Sequence, residues 1–166
     1  MPRILILFYS RTDVTARAAR DLARLMRKKG AAVTVERVVE RIPLPYPLWL
    51  FLSFIPGSRW PIIAPLAAPG EFDATVLAFP KWTLCCPPIE TLIRGLGGGF
   101  GKAALLVTCG GWDEERYLIG YAGKLARTGC RVVEAVALRK KEVGTDAGLE
   151  RLEGVAEVLC GKAEIK

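Results

Sequence analysis

Arg3-Ile4-Leu5-Ile6-Leu7-Phe8-Tyr9-Ser10-Arg11-Thr12-Asp13-Val14-Thr15 is the stretch on which the reading of this chain turns. Ile4 to Tyr9 is a continuous apolar run, the pattern of a strand covered on both faces. A short polar loop follows, and from Val14 to Lys29 the period becomes helical. Val14, Ala18, Leu22, Leu25 and Met26 share one face, and Arg17, Arg20, Arg24 and Arg27 another. Gly30 stands where a helix favours glycine past its end, behind three cations that suit the dipole. A buried strand feeding an amphipathic helix through a short polar turn is the opening unit of a parallel α/β sheet.

The remaining chain repeats that unit. Residues 31–39, 71–79, 102–108 and 130–138 read as four further strands. Residues 88–94, 113–128 and 145–159 read as helices, with Asp113 and either Thr145 or Asp146 as N-caps and Gly129 past the end of the second. Helices between strands predict a doubly wound α/β fold with five parallel strands in the order 2-1-3-4-5 and helices on both faces. Ligands of such sheets bind beyond the carboxyl ends of the strands, where the first and third strands diverge. That singles out the loops Ser10–Thr15, Pro80–Pro88 and Cys109–Trp112.

The chain has 166 residues, 51% hydrophobic and 25% charged, enough to bury a full core. With no internal repeat or low-complexity linker, it is expected to form one domain over 1–166. It holds no histidine, which excludes Ser-His-Asp and Cys-His nucleophilic sites and histidine zinc sites. It also lacks asparagine and glutamine, and with abundant Arg, Lys and Glu this points to a thermophilic source. The opening Met1-Pro2-Arg3 carries no small-residue cleavage site, so a cytoplasmic setting with reduced thiols is expected for the five cysteines. No group of them has metal-ligand spacing, and the adjacent Cys85-Cys86 pair is not a Cys-x-x-Cys redox motif.

The first loop gathers Ser10, Thr12 and Thr15 at a helix N-terminus, where hydroxyls and backbone N–H groups can grip a phosphate. In this it resembles the flavodoxin family, whose FMN-phosphate loop runs Ser/Thr-x-Thr-Gly-x-Thr. Ser10, Arg11, Thr12 and Thr15 match that motif, Val14 lies within it, and Asp13 stands where the family has glycine. A carboxylate at Asp13 would repel a phosphate dianion unless it turns outward, while Arg11 adds a compensating cation. Pro80-Lys81-Trp82-Thr83-Leu84 resembles the family's loop after the third strand. The resemblance puts Trp82 against the isoalloxazine ring and the backbone of Lys81 to Leu84 at its polar edge. Cys109-Gly110-Gly111-Trp112 matches the turn after the fourth strand, with the glycines admitting close approach of the main chain and Trp112 as a second ring partner.

The resemblance implies a flavodoxin-like protein that binds FMN and acts in electron transfer or as a flavin-dependent oxidoreductase. The redox partner would be a protein, NAD(P)H or a quinone. The flavin supplies the chemistry, so no catalytic side chain and no metal is expected. The net charge of +7 sets the chain apart from acidic carrier flavodoxins. Arg11 and Lys81 near an anionic reduced flavin would make its final reduction less negative in potential. The alternative is a binding module of the same fold that has lost FMN and acts through protein or membrane-surface contacts.

Three other features compete for attention. Gly95 to Lys102 is glycine-rich, but Leu96 and Ala103 break the spacing of a phosphate loop, and no Gly-x-Gly-x-x-Gly opens the first helix. The arginine stripe is not interleaved with aromatics, so nucleic acid is not expected as a partner. Residues 42–69 carry seven prolines around the apolar core 48–55, too short to span a bilayer. A short buried crossover helix is the favoured reading there, with homodimerisation or membrane contact through 48–55 as the less favoured one.

Overall fold

The computed structural model describes residues 1–161. Five strands, β1 (Arg3–Phe8), β2 (Ala32–Arg37), β3 (Ala74–Pro80), β4 (Lys102–Cys109) and β5 (Arg131–Arg139), form one parallel sheet in the order β2-β1-β3-β4-β5. The expected order is therefore the observed one. Five α-helices accompany the sheet: α1 (Asp13–Lys28), α2 (Tyr46–Ser53), α3 (Pro87–Leu96), α4 (Glu114–Arg127) and α5 (Asp146–Cys160).

Successive residues of each strand serve opposite faces, so the sheet divides the core in two. Ile4 and Ile6, Val76 and Ala78, and Ala104 and Leu106 face α1 and α5, where Ala18, Leu22, Met26, Leu152 and Val155 complete an aliphatic cluster. Leu5, Leu7 and Tyr9, Leu77 and Phe79, and Leu105 and Val107 face α3 and α4, meeting Ile89, Leu92, Tyr117 and Tyr121. The apolar stripe predicted for the first helix is the one buried, and Gly30 takes the left-handed conformation past its end at φ 86°. Thr145 caps α5 by accepting a hydrogen bond from the Gly148 N–H at 3.2 Å. Asp113 precedes α4 as expected but sits at φ 50° and makes no side-chain cap bond.

The proline-rich segment departs from a simple crossover. It forms the short helix α2, with only Trp49 and Ser53 buried, one turn apart on the same side. Trp49 is fully enclosed, its ring 6.4 Å from Tyr9 and 5.6 Å from both Trp60 and Trp82. Ser53 is a polar pin. Its hydroxyl lies 2.7 Å from that of Thr83, and its carbonyl accepts from the Leu84 N–H (2.9 Å) and the Cys85 N–H (3.2 Å). The helix is thus tied to the loop after β3, while most of its apolar side chains face outward.

Candidate functional site

The loops after β1 and β3 leave the sheet side by side and enclose a cleft of about 450 Å³. Its floor and walls are Thr12, Val14 and Thr15 from the first loop, Pro80, Lys81 and Trp82 from the second, and Thr108 from the end of β4. Tyr46 and Leu50 of α2 form one rim, and Arg11 and Lys140 contribute cations. A volume of this size suits a ligand of nucleotide dimensions. Among the described residues no carboxylate lines it, so the electrostatics favour an anion.

The first loop is held from beneath. Tyr9 N–H donates to the Ala78 carbonyl at 2.9 Å, and the Arg37 guanidinium donates to the Ser10 carbonyl at 2.6 Å. Ser10 is buried and its hydroxyl donates to the Thr12 carbonyl. It braces the loop and does not line the cleft. Thr15 and Thr108 bring their hydroxyls within 2.6 Å in a buried pair that ties the start of α1 to the end of β4. Thr12 precedes α1 without using its side chain to cap it, so the hydroxyl and the N–H groups of the first turn are left to serve a ligand.

Asp13 answers the objection raised by its charge. Its carboxylate accepts from the Arg20 guanidinium at 2.9 and 3.1 Å on the outer side of α1, and it is 77% exposed. Arg11 reaches the other way, donating to the Leu44 carbonyl at 3.0 Å with its guanidinium 5.9 Å from the Tyr46 ring. The charges at the mouth are therefore separated, cation toward the cleft rim and carboxylate away from it.

Trp82 is half-buried, with its ring edge-on to Tyr9 at 5.6 Å. Tyr9 in turn donates its hydroxyl to Glu40 at 2.5 Å, and burial together with that bond pushes the phenol well above its usual range. Lys81 forms the divide with a second cleft of about 400 Å³, lined by Thr83, Leu84, Trp112, Arg116, Tyr117 and Lys124 among others. The Lys81 ammonium lies 4.6 Å from the centre of the Trp112 ring, which is 73% exposed.

The predicted site residues therefore fall into three groups. Arg11, Thr12, Val14, Thr15, Pro80, Lys81 and Trp82 meet around the first cleft. Thr83, Leu84 and Trp112 lie around the second. Ser10, Asp13, Cys109, Gly110 and Gly111 line neither. Cys109 is buried with its thiol 3.6 Å from the Leu138 carbonyl, and burial raises its pKa. Gly111 adopts φ 98°, and a Cβ there would come within 3.1 Å of Arg139 Nε. That glycine serves the approach of an arginine from β5.

Thr108, Lys140, Tyr46 and Leu50 were absent from the predicted set. Thr108 ends a predicted strand and Lys140 follows another, so counting the carboxyl-end residues of all the strands would have found both. Tyr46 and Leu50 come from the proline-rich segment, where no local pattern points toward the cleft.

No protein-family model matches the chain. An uncharacterised protein of Archaeoglobus fulgidus is 29% identical over 107 residues, 64% of this chain and 70% of the relative. Among solved structures, a Lactobacillus acidophilus flavoprotein in complex with FMN superposes with a TM-score of 0.71 at 19% identity, over 86% of this chain and 97% of the other. Megasphaera elsdenii flavodoxin superposes at 0.62 and 16% identity, over 93% and 98%. An NAD(P)H:quinone oxidoreductase from Methanothermobacter marburgensis superposes at 0.57 and 18% identity, over 93% and 92%. With the parallel order β2-β1-β3-β4-β5 and these neighbours, the chain has the flavodoxin-like fold.

Proposed function

We propose that the chain binds FMN non-covalently in the cleft between the loops after β1 and β3 and passes electrons through it. The observation that carries this reading is a cation-rimmed cleft that joins the unclaimed start of α1 to the half-buried ring of Trp82. Thr12, Thr15 and the first-turn N–H groups would hold the phosphate, with Arg11 and Lys140 adding positive charge. Trp82 would offer an aromatic wall to the ring system, and Lys81 would face its polar edge. The outward turn of Asp13 toward Arg20 supports the flavin-binding reading over a protein without flavin.

Bound flavin supplies the redox chemistry. The chain's part is to bind, orient and set the local potential. Arg11, Lys81 and Lys140 stabilise negative charge in the cleft, so the final reduction should be easier than in an acidic carrier. Electrons would come from or go to a redox protein, NAD(P)H or a quinone, by analogy with the activity named for the Methanothermobacter neighbour.

Titration of the purified protein with FMN, followed by visible absorbance and flavin fluorescence, tests the reading. Saturable binding that weakens about tenfold or more in Thr12→Ala is expected from loss of a phosphate hydrogen bond. A protein that leaves the spectrum of added FMN unchanged overturns it. A redox titration of the complex giving a final potential as low as that of an acidic carrier would remove the electrostatic part alone.

A further inference from the structure

We propose that the outer face of α2 docks on the surface of an anionic lipid bilayer. Leu48, Leu50, Phe51, Phe54 and Ile55 are exposed on and just after this helix, Phe51 by 64% and Phe54 by 58%. Trp49 and Ser53 are the buried residues of this helix, and the outward apolar side chains are left open to solvent among the described residues. Five large apolar groups on a single short element exceed what scattered surface hydrophobics require.

The charges within the segment that carries the patch are of one sign. Residues 41–70 contain Arg41 and Arg59 and no Lys, Asp or Glu. Arg41 N–H donates to the Pro61 carbonyl at 2.9 Å and the Trp60 indole donates to the Ile42 carbonyl at 2.7 Å. Both exposed arginines thus belong to one paired stretch, and Arg11 adds a third cation beside Tyr46 at the start of α2. The neighbouring carboxylates are engaged elsewhere. Glu40 accepts from the buried Tyr9 hydroxyl, and Glu36 accepts from the Leu66 and Ala67 N–H groups at 2.6 and 3.0 Å.

An apolar face beside Arg11, Arg41 and Arg59 matches a bilayer interface, where apolar side chains enter the acyl boundary and arginines meet lipid phosphates. No helix among the described residues is long and apolar enough to cross a membrane, so the contact is interfacial. A second copy of the chain fits less well. A two-fold contact sets the same patch against itself, so Arg11, Arg41 and Arg59 of one copy would face a surface bearing the same cations. Tyr46 and Leu50 border both the patch and the cleft, so docking would turn the cleft mouth toward the lipid. The inference stands apart from FMN binding, because the test is made without flavin.

The test is co-sedimentation of the full chain with phosphatidylcholine vesicles with and without phosphatidylglycerol, alongside sedimentation velocity of the protein alone. Expected are a monomer, binding to the anionic vesicles only, and weakening as salt is raised. Phe51→Asp with Phe54→Asp, at two exposed sites that leave the core intact, should reduce partitioning by about tenfold or more. Arg41→Glu with Arg59→Glu should reduce it as well, and circular dichroism checks that both variants keep the fold. Protein left in the supernatant with anionic vesicles overturns the proposal, as does binding that ignores both variants. A dimer that dissociates on the phenylalanine substitutions assigns the face to a second copy and overturns it too.

Discussion

The two faces of the sheet are built from different materials. Against α1 and α5 the fully buried set is aliphatic among the described residues, with Phe8 and Cys160 packed only at its margin. Against α3 and α4 it includes Tyr9, Phe79, Phe100, Tyr117, Tyr121, Cys86 and Cys130, and Trp49 and Trp82 extend it beneath α2. The first face is held by shape and transfer free energy alone. The second buries polar and titratable atoms that need partners, and it is the one that borders both clefts. Uniform aliphatic packing secures a scaffold. The aromatic face gives up some of that security to present rings, hydroxyls and cations to a ligand.

Alkaline titration should separate the faces most strongly. Burial pushes the Cys86 thiol and the Tyr117 and Tyr121 phenols well above their ordinary values of 9.0 and 10.0, and burial with the Glu40 bond does the same for Tyr9. Their protonated forms stabilise the fold fully below those ordinary values. As pH rises past them, the unfolded chain releases protons that the native state keeps, so stability falls. Each such group costs roughly 1.4 kcal/mol per pH unit. Urea midpoints measured from pH 8 to 11 should drop steeply, and the drop should shrink in Tyr121→Phe. A flat profile would erase the distinction.

Trp49→Ala comes next, at about 3–5 kcal/mol by chemical denaturation. Trp49→Phe should cost clearly less, because the buried indole N–H has no hydrogen-bond partner among the described residues to lose. Ser53→Ala should cost about 1–3 kcal/mol, since it strips the Thr83 hydroxyl of its partner and loosens α2 from the loop after β3. Amide exchange sharpens this point: α2 amides should exchange far sooner than those of α1, whose inner face is buried along its length. The smallest effect belongs to the outer surface of the first face. Arg20→Ala removes an exposed pair with Asp13 and should cost about 0.2–1 kcal/mol, less at high salt.

The aliphatic face was the more legible in the sequence. Its helices repeat one apolar stripe, as in Ala18, Leu22 and Met26, and its strands are plain apolar runs, so period alone locates them. The lining of the cleft was legible where a loop carries its own polar pattern, as Thr12 and Thr15 do at a helix start. It was less legible where the geometry depends on what lies beneath or across. Ser10 has the right type and spacing for a phosphate ligand, yet its hydroxyl is spent on the Thr12 carbonyl. The turn at Gly110-Gly111 has the right glycines, yet Gly111 admits Arg139. Period could not decide which side of the proline-rich segment is buried, because α2 is apolar all round.

The sequence by itself determined the strand and helix order, the parallel sheet and the loops at its carboxyl edge. These follow from local periodicity and from the few ways a buried sheet can be wound. Only the tertiary structure decided that Asp13 turns to Arg20, that Thr108 and Lys140 join the cleft, and that Trp49 and Ser53 are the residues α2 buries. Each of those outcomes depends on a partner distant in sequence, or on a turn of helix, and no local pattern records the direction in which a side chain finds its lowest free energy.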